Sequence, residues 1–484
     1  MNLSANPLLL RYRCSLLRPG QFWVNALVYG LVAGAILLLN GLLYGCTTTT
    51  YANAHELGAA IYVQFLILLA ILLLVIGPVN TGNALQVEQA ERSYDFFRLL
   101  PLSPADRAVG ILIGRNLAML PFAGLTTLLM VASGCVGGIA GLFQVQVLVA
   151  LGSATAAANL AALLISQRQR LPRGPMKANQ VNSLLSVIVL ASVIAICAAC
   201  VFAINQNAAR IRFHFYALEL PWLLVLAGLF LFAAAWSMTG VLRSFRVETG
   251  PLFTRPGAIA FLLGCLMICA GLFWSSFHDA CPQDAGSILA GYVVVSCFPL
   301  LILLADASLS RQDYTDILAG ELEPVTLAWV WSRSNVGFWL GCFAIWAGAF
   351  VAFGVTGQQG RFGVPLLLVC AVTGASFLFW AGLIELHILC AERNPKLTGL
   401  FTVLVAIQSA LPLLLGGVLG SKSLVVFSPF GSLSLLAPDS GSVVSPALVL
   451  AAALLHFLLG VAVLIPLNRE YRELARLPHR CRGA

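Results

Sequence analysis

Apolar residues in this chain run together in blocks of about 17 to 25, divided by short polar or charged stretches. A block of that length, folded as a helix, crosses about 30 Å of hydrocarbon. About twelve blocks are present. Six fall near 22–46, 57–79, 109–134, 143–166, 183–204 and 218–242. Six more fall near 257–275, 288–305, 336–355, 364–390, 399–420 and 445–467. The strands of a membrane barrel would be about ten residues long with alternating polarity, a pattern the chain lacks. The periodicity therefore predicts an all-α polytopic membrane protein of about twelve transmembrane helices. The first block follows Arg11, Arg13 and Arg18, is longer than a signal peptide's apolar region and has no convincing small-residue cleavage site, so it is expected to stay as an uncleaved anchor.

Composition excludes the soluble alternative. Of 484 residues, 60% are hydrophobic and only 10% charged, with mean hydropathy +0.93. Soluble domains carry about 25% charged residues. The longest weakly apolar stretch is about 30 residues, too short to bury a core of its own. Charge then sets the orientation, because arginine and lysine collect in short cytoplasmic loops. With the N-terminus inside, the outer side receives only Arg210, Arg212, Arg361 and Lys422 of the 27 basic residues, leaving 27 − 4 = 23 inside. Both termini are thus expected in the cytoplasm, with an even number of spans. The net charge of +8 reads as a topology signal facing anionic lipid, and nucleic acid is not needed to explain it.

Between the second and third blocks lies an island of charge, residues 85–107, LQVEQAERSYDFFRLLPLSPADR. Glu88, Glu91, Asp95 and Asp106 alternate with Arg92, Arg98 and Arg107, while Tyr94, Phe96 and Phe97 add apolar bulk. Pro101 and Pro104 are expected to stop the helix, since proline lacks an amide proton. Two readings fit: a docking element for another protein, or an amphipathic loop on the lipid headgroups. Residues 5–20, ahead of the first span, offer Asn6 as N-cap and Pro7 as first helical residue, with Leu9, Tyr12 and Leu16 on one face. They predict a short interfacial helix ending at Arg18-Pro19-Gly20. A plain basic flank fits equally well.

The arrangement recurs. Residues 251–257, PLFTRPG, again end in Arg-Pro-Gly before a span. Two spans later, 311–324 read RQDYTDILAGELEP. Tyr94 and Pro104 are ten residues apart, as are Tyr314 and Pro324, and a leucine stands two before each proline. Arg115-Asn116 follows the first copy, and Arg333 with Asn335 follows the second. Two six-span halves are expected, 1–245 and 246–484, with charged segments at 85–107 and 306–332. An even span count per half makes the repeat parallel.

Other chemistry is sparse. The loops at 205–221 and 421–444 are simple outer loops or short re-entrant helices. Most of the thirteen cysteines lie inside spans as small apolar residues. Cys46, Cys135 and Cys281 sit near the outer face with nothing to select a pairing. Cys197 and Cys200 lack partners for a metal, and no GxxxxGK[ST] phosphate loop occurs, so no ATP hydrolysis is expected in this chain. Ionisable groups inside spans would mark an ion-coupled carrier. The blocks are almost clean: Asn116 and Asn159 are uncharged, and His456 is expected to make a helix–helix hydrogen bond. Glu385 and His387, near the inner end of the tenth block, could face the cytoplasmic loops. Energy for transport would then have to arrive from a separate protein.

The run ERSYDFFRLLPLSPADRAVG resembles the cytoplasmic segment between the second and third spans of ABC-2 type transporter permeases. Glu91, Arg92, Ser93, Asp95, Leu99, Pro101, Leu102, Ser103, Pro104 and Gly110 carry the likeness, and Ile111 stands where the family has lysine. The N-terminal NPLLLRYRCSLLRPGQFW is similar to the family's interfacial helix. The resemblance implies six spans per unit, paired units, a bacterial cytoplasmic membrane and an exporter role. It implies a coupling helix that binds a cytoplasmic ATPase, two copies of it, through Glu91, Arg92, Tyr94, Asp95, Arg98, Pro101 and Pro104. Tyr314, Asp316 and Pro324 would be their counterparts, although the Leu-Pro-Leu-Ser motif is absent there. ATP and magnesium would be handled by that partner, with no cofactor in this chain, and the cargo would be small and apolar or amphipathic. The alternatives are an ion-coupled carrier depending on His456 or Glu385, a lipid-processing enzyme built on His278, Asp279, Asp284 or Asp439, and a scaffold that transports nothing.

Overall fold

The apolar blocks fold as helices in a computed structural model that describes residues 6–46, 54–90, 102–168, 212–216, 218–246, 253–278, 282–306, 334–357, 363–390 and 445–481. Ten of the twelve blocks carry helix. The blocks at 183–204 and 399–420 lie outside the described residues, as do 91–101 and 307–333, which hold the middle of the first charged segment and nearly all of the second. Among the described residues, eight helices are long and apolar enough to cross a membrane, or nine if one bent pair counts as a span. The protein is an all-α, multi-pass membrane protein.

By contacts the chain divides into two compact units, Met1–Phe213 with Glu219–Glu248, and His214–Leu218 with Thr249–Ala484. The first unit opens with α1 (Pro7–Leu16) and α2 (Pro19–Cys46). Helix α3 (Ala54–Ala70) runs through a π-helical stretch, Ile71–Ile76, into α4 (Gly77–Ala90). Across that wide turn the Gly77 N–H reaches back five residues to the Leu72 carbonyl. Pro78 follows, with no N–H to offer the carbonyl four residues before it. Such π-bulges concentrate at functional positions.

The third block is not one straight span. It is α5 (Pro104–Asn116) and α6 (Leu120–Val136), bent by 67°. The cause is local. Pro121 cannot donate to the turn before it, and residues 114–119 close with short-range bonds instead, Leu117 N–H to Gly114 O and Met119 N–H to Asn116 O. Pro104 also departs from expectation. It starts a helix instead of stopping one, because Ser103 caps it: Asp106 N–H donates to Ser103 Oγ at 3.1 Å, and Ser103 Oγ donates back to the Asp106 carboxylate at 2.7 Å.

Helix α7 (Gly141–Arg168) packs along α8 (Trp222–Arg246) and α4. Helices α3 and α6 come together at Gly58 and Gly137, where backbone meets backbone. Small residues permit this, and between membrane helices close packing replaces the hydrophobic effect as the driving force. Two four-residue strands, β1 (Arg212–Phe215) and β2 (Leu218–Pro221), occupy part of the loop at 205–221, so its described part is not a re-entrant helix. Tyr216 holds a left-handed backbone, φ 52°, fixed by its N–H to Gly271 O and its hydroxyl to Met267 O at 2.6 Å.

The second unit comprises α9 (Arg255–His278), α10 (Pro282–Asp306), α11 (Asn335–Gly357), α12 (Gly363–Cys390) and α13 (Pro446–Cys481). Its core is aromatic: Tyr292 stacks on Phe353 at 4.5 Å between ring centres, and Trp346 stacks on Phe350 while its Nε1–H donates to Ser296 Oγ at 2.8 Å. Large apolar side chains also cover the outside of both units, Leu31 at 66% exposed and Ile465 at 70%. In water that surface would aggregate; against acyl chains it is the matching surface.

Candidate functional site

Where the first charged segment runs into α5, its described end forms a joint with α1. Asn6 begins α1 by accepting the Leu8 N–H at 3.0 Å, and Pro7 supplies the first helical residue. The same Asn6 reaches across with Nδ2 to the Asp106 carbonyl at 2.9 Å, in the first turn of α5. Below it, Leu8 and Tyr12 lie almost wholly buried. They rest on Gly110 and Gly114, four residues apart and therefore on one face of α5. A Cβ on Gly110 would stand 3.0 Å from Leu8 Cβ, and one on Gly114 would overlap the Tyr12 ring at Cδ2 and stand 3.0 Å from Cγ. The Arg115 guanidinium lies 5.1 Å from the centre of that ring and donates to the Ala84 carbonyl of α4 at 3.3 Å. Helix α1 is thus bolted to the helix into which the charged segment leads.

The helix expected within 5–20 forms at Pro7–Leu16, with its buried face turned slightly from the Leu9–Tyr12–Leu16 stripe. Leu8, not Leu9, is the deep anchor beside Tyr12; Leu9 and Leu16 are half-buried. Arg11, Arg13 and Arg18 are exposed on the other side. Replacing Asn6 by Ala removes both the cap and the cross-link, at about 1–2 kcal/mol. Hydrogen exchange of the amides at 8–12 is expected to speed up by about tenfold, while amides in α7 keep their rates.

One turn further, Asn116 closes a buried polar cluster. Its Nδ2 lies 3.0 Å from Thr81 Oγ1 and 3.1 Å from Asn159 Oδ1, and Thr81 donates to the same Asn159 oxygen at 2.7 Å. The cluster ties α4, α5 and α7 together just past the π-helical stretch. Thr81 went unnoticed in the sequence, because one threonine in an apolar run carries no signal.

The second unit has a comparable pair of ties. Arg255, at the start of α9, donates to the Ser334 carbonyl at 3.3 Å and lies 5.6 Å from the Phe338 ring centre. Asn335 Nδ2 donates to Glu385 Oε2 at 2.7 Å, and the Tyr471 hydroxyl donates to Glu385 Oε1 at 2.7 Å. Glu385 is fully buried, which corrects the expectation that it faces the cytoplasmic loops and that the spans hold no internal acid. Two donors on its two oxygens make burial tolerable. His387, two residues on, is half-buried about 200° round the helix, so the two do not form a pair. His456 is buried, and its Nδ1 bonds the Ala452 carbonyl of its own helix at 2.7 Å; among the described residues it makes no bond to a neighbouring helix.

Glu91, Arg92, Tyr94, Asp95, Arg98, Pro101, Tyr314, Asp316 and Pro324 lie outside the described residues. Cys135 is a free, exposed thiol; Cys281 is outside the described residues. Among the described residues no group of three or more His, Cys, Asp or Glu side chains comes together to hold a metal. No family model matches the chain, and no curated protein or solved structure matches it.

Proposed function

We propose that this chain is the membrane-spanning permease component of an ATP-driven exporter of the ABC-2 type, energised by a separate cytoplasmic ATPase. The observation that carries the reading is the joint behind the charged segment. A push delivered to 91–103 enters α5, which α1 clamps through Asn6, Leu8 and Tyr12 and which Asn116 links to α4 and α7. Force applied there moves a rigid group of helices, which is what a coupling element requires.

The proposal includes two six-span halves in parallel, with both termini in the cytoplasm of a bacterium. Two paired features support the repeat. Near the start of each half a side chain is tied to a backbone carbonyl at the start of the helix after its charged segment, Asn6 ahead of α1 to Asp106 O and Arg255 at the first residue of α9 to Ser334 O. An asparagine in that helix then reaches a side-chain oxygen on the next long helix, Asn116 to Asn159 and Asn335 to Glu385. Closure of two ATPase subunits would press on both segments, rock the halves apart at the outer face and release an apolar or amphipathic cargo.

Reversing charge at Asp95 and Arg98 is expected to cut co-purification of the ATPase at least fivefold, while reversal at Arg361 or Lys422 leaves it intact. Undiminished complex formation by the first pair would remove the proposal. Buried Glu385 is the observation that most favours an ion-coupled carrier. That reading requires the purified chain alone, in liposomes, to accumulate solute on a proton or sodium gradient.

A further inference from the structure

A cleft of about 570 Å³ opens in the first unit where the first turns of α2 meet α4 and the bend between α5 and α6. That volume is ordinary for a small-ligand site. Its polar wall carries four carboxamides, Gln21, Asn25, Asn80 and Asn83, and one cation, Arg115. None of the lining side chains described is acidic. Four carboxamides and a guanidinium brought together from three helices are not explained by packing, since Gln21 and Asn25 are exposed and Asn80 and Asn83 only half-buried. Arg115 is held in place by its ring contact with Tyr12 and its bond to Ala84 O, so its planar fork is pre-organised.

The other wall identifies the ligand's second half. Val24 lines the cleft and is 61% exposed, and from it a strip of exposed apolar residues, Leu27, Val28 and Leu31, continues along α2. Trp23 beside it is 69% exposed, at the depth where indoles settle between headgroups and acyl chains. Residues 20–25 are the first turns of the span Pro19–Leu43, so the cleft lies at headgroup level. A ligand that satisfies both walls has an anionic, acceptor-rich head and an apolar tail along the strip.

We infer that this cleft binds the phosphate headgroup of a membrane lipid, with Arg115 and the carboxamides donating to phosphate oxygens and the acyl chains lying along Val24–Leu31. Guanidinium suits phosphate because two parallel N–H bonds match two oxygens. The inference rests on the cleft's own lining and does not depend on the ATPase partner.

The test uses the full chain in detergent and native mass spectrometry, titrating phosphatidylglycerol, diacylglycerol of the same chain length, and inorganic phosphate alone. Saturable retention of phosphatidylglycerol, at least tenfold tighter than diacylglycerol, is expected. Arg115→Gln should weaken it about tenfold. Because Arg115 also braces Tyr12, Asn83→Asp is the second variant: it adds a like charge to the cleft wall without touching those contacts, and should weaken the anionic lipid at least fivefold. Equal binding of phosphatidylglycerol and diacylglycerol, or no effect of Asn83→Asp in a folded protein, would overturn the inference. Inorganic phosphate held as tightly as the lipid would overturn it too, by making the cleft a site for a soluble anion.

Discussion

Alanine at Gly58 is expected to destabilise the first unit by about 3 kcal/mol, the upper part of the overpacking range. A Cβ there would collide with Gly137 N and stand 2.9 Å from both Gly137 Cα and Ser133 O. Seen from the other side, a Cβ on Gly137 would stand 2.6 Å from Ala59 N. Every atom met is backbone, so no side chain can turn away; α3 and α6 must separate. At about 2–4 °C per kcal/mol for a unit of this size, the midpoint of heat-induced loss of monodisperse protein in detergent should fall by about 6 °C or more. Gly152→Ala and Gly124→Ala are the controls, because a Cβ at either position meets nothing within 4 Å. They should hold the midpoint or raise it slightly, as alanine favours helix over glycine. A Gly58→Ala protein that melts with the controls would mean that α3 and α6 do not touch there.

The helices were legible in the sequence because lipid imposes a length. A run of about 20 apolar residues has no alternative to a helix when every backbone group must be satisfied within the segment. The N-terminal helix was legible for a different reason: Asn6-Pro7 is a local cap signal, and the cap forms as read. Breaks inside runs were not legible. Pro104 and Pro121 were both inside or beside apolar sequence, and whether a proline ends a helix or starts one depends on the residue before it. Ser103 decided the first case. The second produced a 67° bend that a run of apolar letters from 109 to 134 does not betray.

The polar interior was harder still. Glu385 and Asn159 stand out in the sequence as polar letters, yet what they pair with does not: Thr81, Asn335 and Tyr471 are 78, 50 and 86 residues away along the chain. Hydropathy places Glu385 near the end of a run and so suggests an exposed acid. Only the fold brings Tyr471, on the last helix, against it. The cleft near Arg115 escaped for the same reason, since Gln21 and Asn83 belong to different helices and neither is unusual alone.

Glu385→Ala should cost the second unit about 1–3 kcal/mol, because the Asn335 amide and the Tyr471 hydroxyl lose this acceptor together. Interhelical hydrogen bonds in membranes average about 0.6 kcal/mol and reach about 1.7, and two are removed here. Glu385→Gln should cost much less. Its carboxamide oxygen keeps the bond from Asn335, and its NH₂ can donate to Tyr471, whose hydroxyl then accepts. Tyr471→Phe should fall between the two, losing one bond and almost no volume. This order, Glu385→Ala worst, then Tyr471→Phe, then Glu385→Gln, is what a buried acid acting as a brace between α11, α12 and α13 requires, read as the shift in the heat-denaturation midpoint. A carboxylate that carries protons across the membrane shows itself in uptake and not in the melting order. Glu385→Gln would then melt like the unaltered protein and yet lose all gradient-driven uptake in liposomes. Stability and transport, measured on the same three variants, therefore separate a structural acid from a working one, and a working one would displace the ATP-driven reading of the chain.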